Sequence, residues 1–212
     1  MADKLVEFLG RLIDNKYLLT AVLSVLPVTE IKGAVLFAAV SNIDPIIAFL
    51  CCVGATVALS ACLSAICPML IRLAEKIPPV KKLTDFLTDR VKETAAKIEL
   101  KAVKNGDAGE RQKLLGVFAF VAVPLPLTGV WAGATLAAIL HLDFKSSLFA
   151  LATGNFVAGG VVLFIALAAG ERASLVLNVF LLVALAALMF AIAKWALSKL
   201  TEIKKPRNHR GF

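Results

Sequence analysis

Pro27-Val28-Thr29-Glu30-Ile31-Lys32-Gly33 lies inside a stretch of 25 residues, Tyr17 to Ser41, whose only charges are Glu30 and Lys32. A carboxylate and an ammonium at membrane depth are costly, so the default meaning of such a pair is a functional site. Proline removes a backbone donor and glycine admits strained φ, so the pattern predicts a segment that breaks midway instead of crossing as one straight helix. Broken backbone at that depth is tolerated only where protein covers it or a wet cavity adjoins it.

Composition sets the class around this stretch. The 212 residues are 59% hydrophobic and 18% charged, with a mean hydropathy of +0.85, which predicts an all-α integral membrane protein of one domain, 1–212. Four apolar regions stand out: 17–41, 45–71, 114–140 and 146–197. Gly170-Glu171-Arg172 divides the last into 146–169 and 173–197, each long enough to cross a bilayer at about 1.5 Å per residue. At the N-terminus, Leu5, Val6, Phe8, Leu9, Leu12 and Ile13 share a helix face over 1–16, as an interfacial helix or a leader helix at the solvent fringe. Charges at Asp3, Lys4, Glu7 and Arg11 argue against a cleaved signal.

The segment Arg72–Lys113 holds 11 Lys/Arg and 7 Asp/Glu, and the tail from Lys194 holds six basic residues against Glu202. Both are expected in the cytoplasm, with 198–212 as a basic tail. Val80, Leu83, Phe86 or Leu87, Val91, Ile98 and Ala102 recur near helical spacing, which predicts an amphipathic helix within 72–113. A full crossing by 114–140 would put the two basic segments on opposite sides. Val123-Pro124-Leu125-Pro126-Leu127-Thr128-Gly129 supplies a turn near its centre, so this region is read as a second re-entrant hairpin.

The two proline-broken regions match at a constant offset of 99. Pro27 falls on Pro126, Thr29 on Thr128, Ile31 on Val130, Gly33-Ala34 on Ala132-Gly133, Phe37-Ala38-Ala39-Val40 on Leu136-Ala137-Ala138-Ile139, and Asp44 on Asp143. Each half then reads as a re-entrant hairpin plus one transmembrane helix, in opposite orientation, with 173–197 as an additional C-terminal span. Inverted repeats with discontinuous helices are the architecture of many secondary transporters.

The candidate site residues follow from the two tips. Lys32 is a point charge able to meet an anion, Glu30 a proton carrier, and free amides near Pro27, Gly33 and a half-helix starting near Ala34 would add donors. The bland alternative is an ion pair that only clamps the break, with Thr29 and Thr128 bonding freed carbonyls. Pro124, Pro126, Thr128, Gly129 and Trp131 would form an uncharged wall opposite Glu30, unless Trp131 merely fills space. Asn155, beside Gly154 in a helix with Ala158, Gly159 and Gly160, either reaches the cavity or packs between helices. His141 beside Asp143 is a rim histidine or a proton relay.

The first motif, Pro27 to Ala34, followed by Pro124-Leu125-Pro126-Leu127-Thr128-Gly129, resembles the small multidrug export protein family, which is related to the DedA (SNARE-associated-like) superfamily. The resemblance covers roughly 17–170. It implies a multi-pass protein of a bacterial or archaeal inner membrane with two opposed hairpins. It also implies DedA-like movement of lipid phosphates coupled to protons, with Glu30 and Lys32 at the hairpin's acidic and basic positions. DedA proteins place arginines around the second proline, and this chain has none between Leu114 and Leu140.

Other classes find less support. No nucleic-acid motif accompanies the net charge of +8, and no GxSG, HExxH or Walker loop is present, so neither nucleic acid nor enzyme chemistry is expected. Cys51, Cys52, Cys62 and Cys67 lack zinc spacing and read as small buried residues, so no metal or cofactor is expected. The expected function is secondary transport of an anionic or lipid-linked phosphate substrate, with protons as coupling ion and membrane lipid as surroundings. The alternatives are export of small amphipathic drugs and a non-transporting membrane scaffold. The sequence is compatible with a homo-oligomer.

Overall fold

The computed structural model describes residues 13–41, 43–74, 91–104, 109–126 and 128–204. Residues 1–12 of the expected interfacial helix over 1–16 and most of the tail fall outside them, as do Val80, Leu83, Phe86 and Leu87, while the described residues 13–15 are not helical. Among the described residues there are eight α-helices: α1 Lys16–Val25, α2 Glu30–Val40, α3 Pro45–Ala74, α4 Lys92–Lys104, α5 Gly109–Ala122, α6 Val130–Ile139, α7 Phe144–Ala169 and α8 Ala173–Lys204. A 3-10 turn, Gly170–Arg172, joins the last two. Helices α3 and α7 are long and apolar enough to cross a membrane. The expected third span falls on α8, which is apolar over Ala173–Ala187.

Local chemistry sets these boundaries. Asn15 caps α1 by accepting from the N–H groups of Tyr17 and Leu18 at 3.0 and 3.1 Å. That helix stops before Pro27, and Leu26 is extended at φ −73, ψ 140, as sterics require of a residue preceding proline. Asp44 and Asp143, matched by the repeat, do the same job at the starts of α3 and α7. Asp44 accepts from Ile46 and Ile47 at 2.8 and 3.1 Å, and Asp143 accepts from Lys145 and Ser146 at 3.0 and 3.2 Å. Past the end of α6, His141 takes the left-handed conformation (φ 56) while Leu142 N–H reaches back to the Ala137 carbonyl at 3.0 Å, which closes the helix in a Schellman-type turn.

The offset of 99 carries from residues to elements. Helix α3 starts at Pro45 and α7 at Phe144, 99 residues on; α2 starts at Glu30 and α6 at Val130, within one residue of the same offset. Helix contacts repeat too. Helices α1 and α2 pack on each other and on α3, while α5 and α6 pack on each other and on α7. Across the halves, α2 packs on α7 and α6 on α3, and the two long helices touch each other.

Two apolar cores result. One gathers α1 and α2 residues such as Leu19, Ile31 and Val35 with Leu177 of α8. The other gathers Val117 and Val121 of α5 and Leu136 of α6 with Val91 and Ala95 beside them. Large apolar side chains such as Phe149, Phe164 and Phe190 point outward on α7 and α8. In water that much exposed apolar surface would aggregate, whereas lipid accepts it.

Candidate functional site: two broken hairpins latched by an ion pair

The break after α1 spans Leu26–Thr29, and α2 begins at Glu30 itself. This corrects the expected start near Ala34, because the Gly33 N–H is already spent on the Thr29 carbonyl at 2.8 Å. Glu30 sits at φ 50, a region that a non-glycine residue occupies at a cost on the order of 1 kcal/mol or more. Glu30 is 3% exposed and Lys32 fully buried, and Lys32 Nζ lies 3.1 Å from Glu30 Oε2.

The pair does not act within its own hairpin alone. Lys32 Nζ also donates to the Leu125 carbonyl at 2.7 Å and to Thr128 Oγ1 at 3.2 Å. An ammonium has three N–H donors, so all of them are engaged. The Glu30 carboxylate lies against Gly129 at the start of α6, where the helix dipole favours negative charge. A Cβ on Gly129 would overlap that carboxylate, so only glycine fits there without displacing Glu30.

The hydrogen bonding is reciprocal. Trp131 Nε1 donates to the Val25 carbonyl at 3.0 Å, satisfying backbone freed at the end of α1. Each tip therefore satisfies a main-chain carbonyl left free where the other breaks. The two threonines serve their own breaks: Thr29 Oγ1 donates to the Leu23 carbonyl, and Thr128 Oγ1 lies 3.0 and 2.9 Å from the Val123 and Leu125 carbonyls.

Among the residues singled out from sequence, Glu30, Lys32, Thr128 and Gly129 meet directly. Gly33 is buried under α8, where a Cβ would come within 3.1 Å of the Phe180 ring and of Thr29. Pro27 and Pro124 are exposed; they shape the breaks and do not line the pair. Trp131 faces the end of α1 instead of forming a wall opposite Glu30. Asn155 is 1% exposed, and neither its Oδ1 nor its Nδ2 has a partner among the described residues. His141 is exposed, and the adjacent Asp143 carboxylate is turned onto the start of α7.

Sequence reading missed the carbonyls of Leu125 and Val25, the true acceptors at the site. Prolines at 27, 124 and 126 signalled freed carbonyls, but no pattern said which donors would reach them. It also missed Thr56, buried on α3, although Thr56 matches Asn155 at the same offset. Among the described residues, no group of three or more His, Cys, Asp or Glu could hold a metal ion.

Among the described residues, two apolar helices of spanning length and a buried ion pair joining two broken helices are the features of a helical membrane protein. The chain belongs to the family described as "Putative small multi-drug export protein", whose sequence model matches residues 30–161. That match begins at Glu30, just past the first break, and takes in the second break and the first two-thirds of α7. No curated protein and no solved structure matches the chain.

Proposed function

We propose that this protein is a secondary transporter in which two re-entrant hairpins of an inverted repeat part and close around the Glu30–Lys32 pair. The observation that carries this reading is that the buried ammonium of one hairpin is bonded into the other. Such a latch is held by a few exchangeable polar contacts. A bound anion could take the Lys32 ammonium from the Leu125 carbonyl and Thr128, while protonation of Glu30 would weaken both its ion pair and its hold on α6. The substrate on this reading has an anionic head group, a lipid-linked phosphate included, because the one buried ammonium at the tips, Lys32, is the charge that would meet it. The hairpins dip into a prokaryotic inner membrane from opposite faces, with 72–113 and the C-terminus cytoplasmic.

Small-drug export is the second reading, and the family description favours it. Here an amphipathic cation would displace Lys32 from Glu30.

The test is flux in proteoliposomes under an imposed pH gradient, with a fluorescent lipid phosphate and, in parallel, a fluorescent amphipathic cation. On the leading reading the lipid phosphate moves, and Glu30→Gln and Lys32→Arg each reduce its flux at least tenfold. Movement of the cation alone would select the second reading. Gradient-independent leakage equal to empty vesicles for both probes sinks transport and leaves a scaffold.

A further inference from the structure

The two apolar cores are distinct clusters, and along both α3 and α7 buried polar side chains stand between the residues that join one core and those that join the other. On α3, Cys52 belongs to the first core and Leu63 to the second, and buried Thr56 and Ser60 lie between. On α7 the order is reversed. Leu151 belongs to the second core and Val162 to the first, with Asn155 between. Packing on either side brackets Asn155 closely: a Cβ at Gly154 would meet Val121 of the second core, and one at Gly159 would meet Ile31 of the first, next to Glu30.

Thr56 and Ser60 are satisfied in place, whereas Ser64 Oγ, just past Leu63, has no partner among the described residues. Thr56 Oγ1 donates to the Cys52 carbonyl at 2.9 Å and Ser60 Oγ to the Thr56 carbonyl at 2.7 Å, the usual refuge of small hydroxyls in apolar helices. Asn155 has no such refuge. It is 1% exposed with both amide atoms unpartnered, and a buried amide in that condition carries its full desolvation penalty. Leucine at this position would fill similar volume without the penalty.

We propose that the band between the cores is the path along which water and a substrate's polar head enter the protein. Asn155 is the residue that biases this seam towards opening. While the tips are latched, its amide is unpaired and raises the free energy of the closed state; when the seam parts, water or the head group satisfies it. The inference rests on the transporter reading, but its test needs no substrate, so the two can fail separately.

In a background with the four native cysteines replaced by alanine, Thr56→Cys places a thiol in the seam. The reconstituted protein is treated with a hydrophilic maleimide, and thermal unfolding is followed in parallel. The parent should label, and Asn155→Leu should raise Tm by several degrees and slow labelling about fivefold or more, as expected when a closed state gains stability relative to an open one. No labelling of the parent, a Tm for Asn155→Leu no higher than the parent's, or an undiminished labelling rate overturns the proposal. Should the leucine variant fail to fold, Asn155→Ala decides on labelling alone: a rate at or above the parent's overturns it, a slower one supports it.

Discussion

Lys32 and Trp131 stand 99 residues apart, at matched positions of the two halves, and each donates a side-chain hydrogen to a main-chain carbonyl of the opposite break. Lys32 reaches Leu125 and Trp131 reaches Val25, at 2.7 and 3.0 Å. One donor is charged and the other neutral, so the exchange is symmetric in geometry and asymmetric in charge. The charged side needs a counter-ion, and Glu30 supplies it beside the start of α6.

Removing one member of the pair should cost more than removing both. Glu30→Gln and Lys32→Met each leave a buried group without its partner, a loss on the order of 3–5 kcal/mol. The double variant should recover more than half of that in thermal unfolding of the purified protein. Additive losses would mean the pair is not coupled.

Trp131→Phe trims the indole to a phenyl ring and deletes the donor to Val25. Stability should fall by about 1 kcal/mol, the ordinary net worth of one such bond. Lys32→Arg, by contrast, brings a larger planar group into a fully enclosed space and should lower Tm further than Trp131→Phe.

Gly129→Ala should be among the most damaging single-atom additions in the protein. The new methyl takes the space of the Glu30 carboxylate, so either the carboxylate leaves the α6 terminus or the tips separate. A loss of at least about 1–3 kcal/mol is expected. Gly160→Ala is the control, because nothing lies within 4 Å of its Cβ position; equal Tm losses for the two would discount the overlap.

His141→Gly should stabilise. A left-handed residue at the end of a helix favours glycine, and the gain is expected to be up to about 1 kcal/mol after the extra chain entropy of glycine is counted. A drop in Tm would show that the imidazole makes a contact worth more than the backbone relief.

Hydrogen bonds from Ser146, and the N–H of Lys145 after them, hold the Asp143 carboxyl below its usual range. A lowered folded-state value means the ionised cap stabilises at neutral pH and loses its effect as pH falls through that value. Asp143→Ala should therefore melt below the parent at pH 7, with the gap narrowing in acid. A gap that stays constant to the lowest tolerated pH would assign the effect to packing.

Much of the fold was legible because it is written in local chemistry. Asp44 and Asp143 announced the two long helices, the prolines announced the two breaks, and the offset between them placed α2, α3, α6 and α7 in register. Glu30 and Lys32 were legible as a site because two lone charges in an apolar run are costly wherever the run is buried. What the sequence could not determine was their partners. A proline marks where a helix breaks, but the cross-tip donors that reach Leu125 and Val25 lie about a hundred residues away, and only the packing of α2 against α7 and of α6 against α3 brings the tips together. Tertiary structure decided that Lys32 spends all three donors at once, that Gly129 makes room for a carboxylate, that Trp131 turns to α1, and that Asn155 is left with no partner among the described residues.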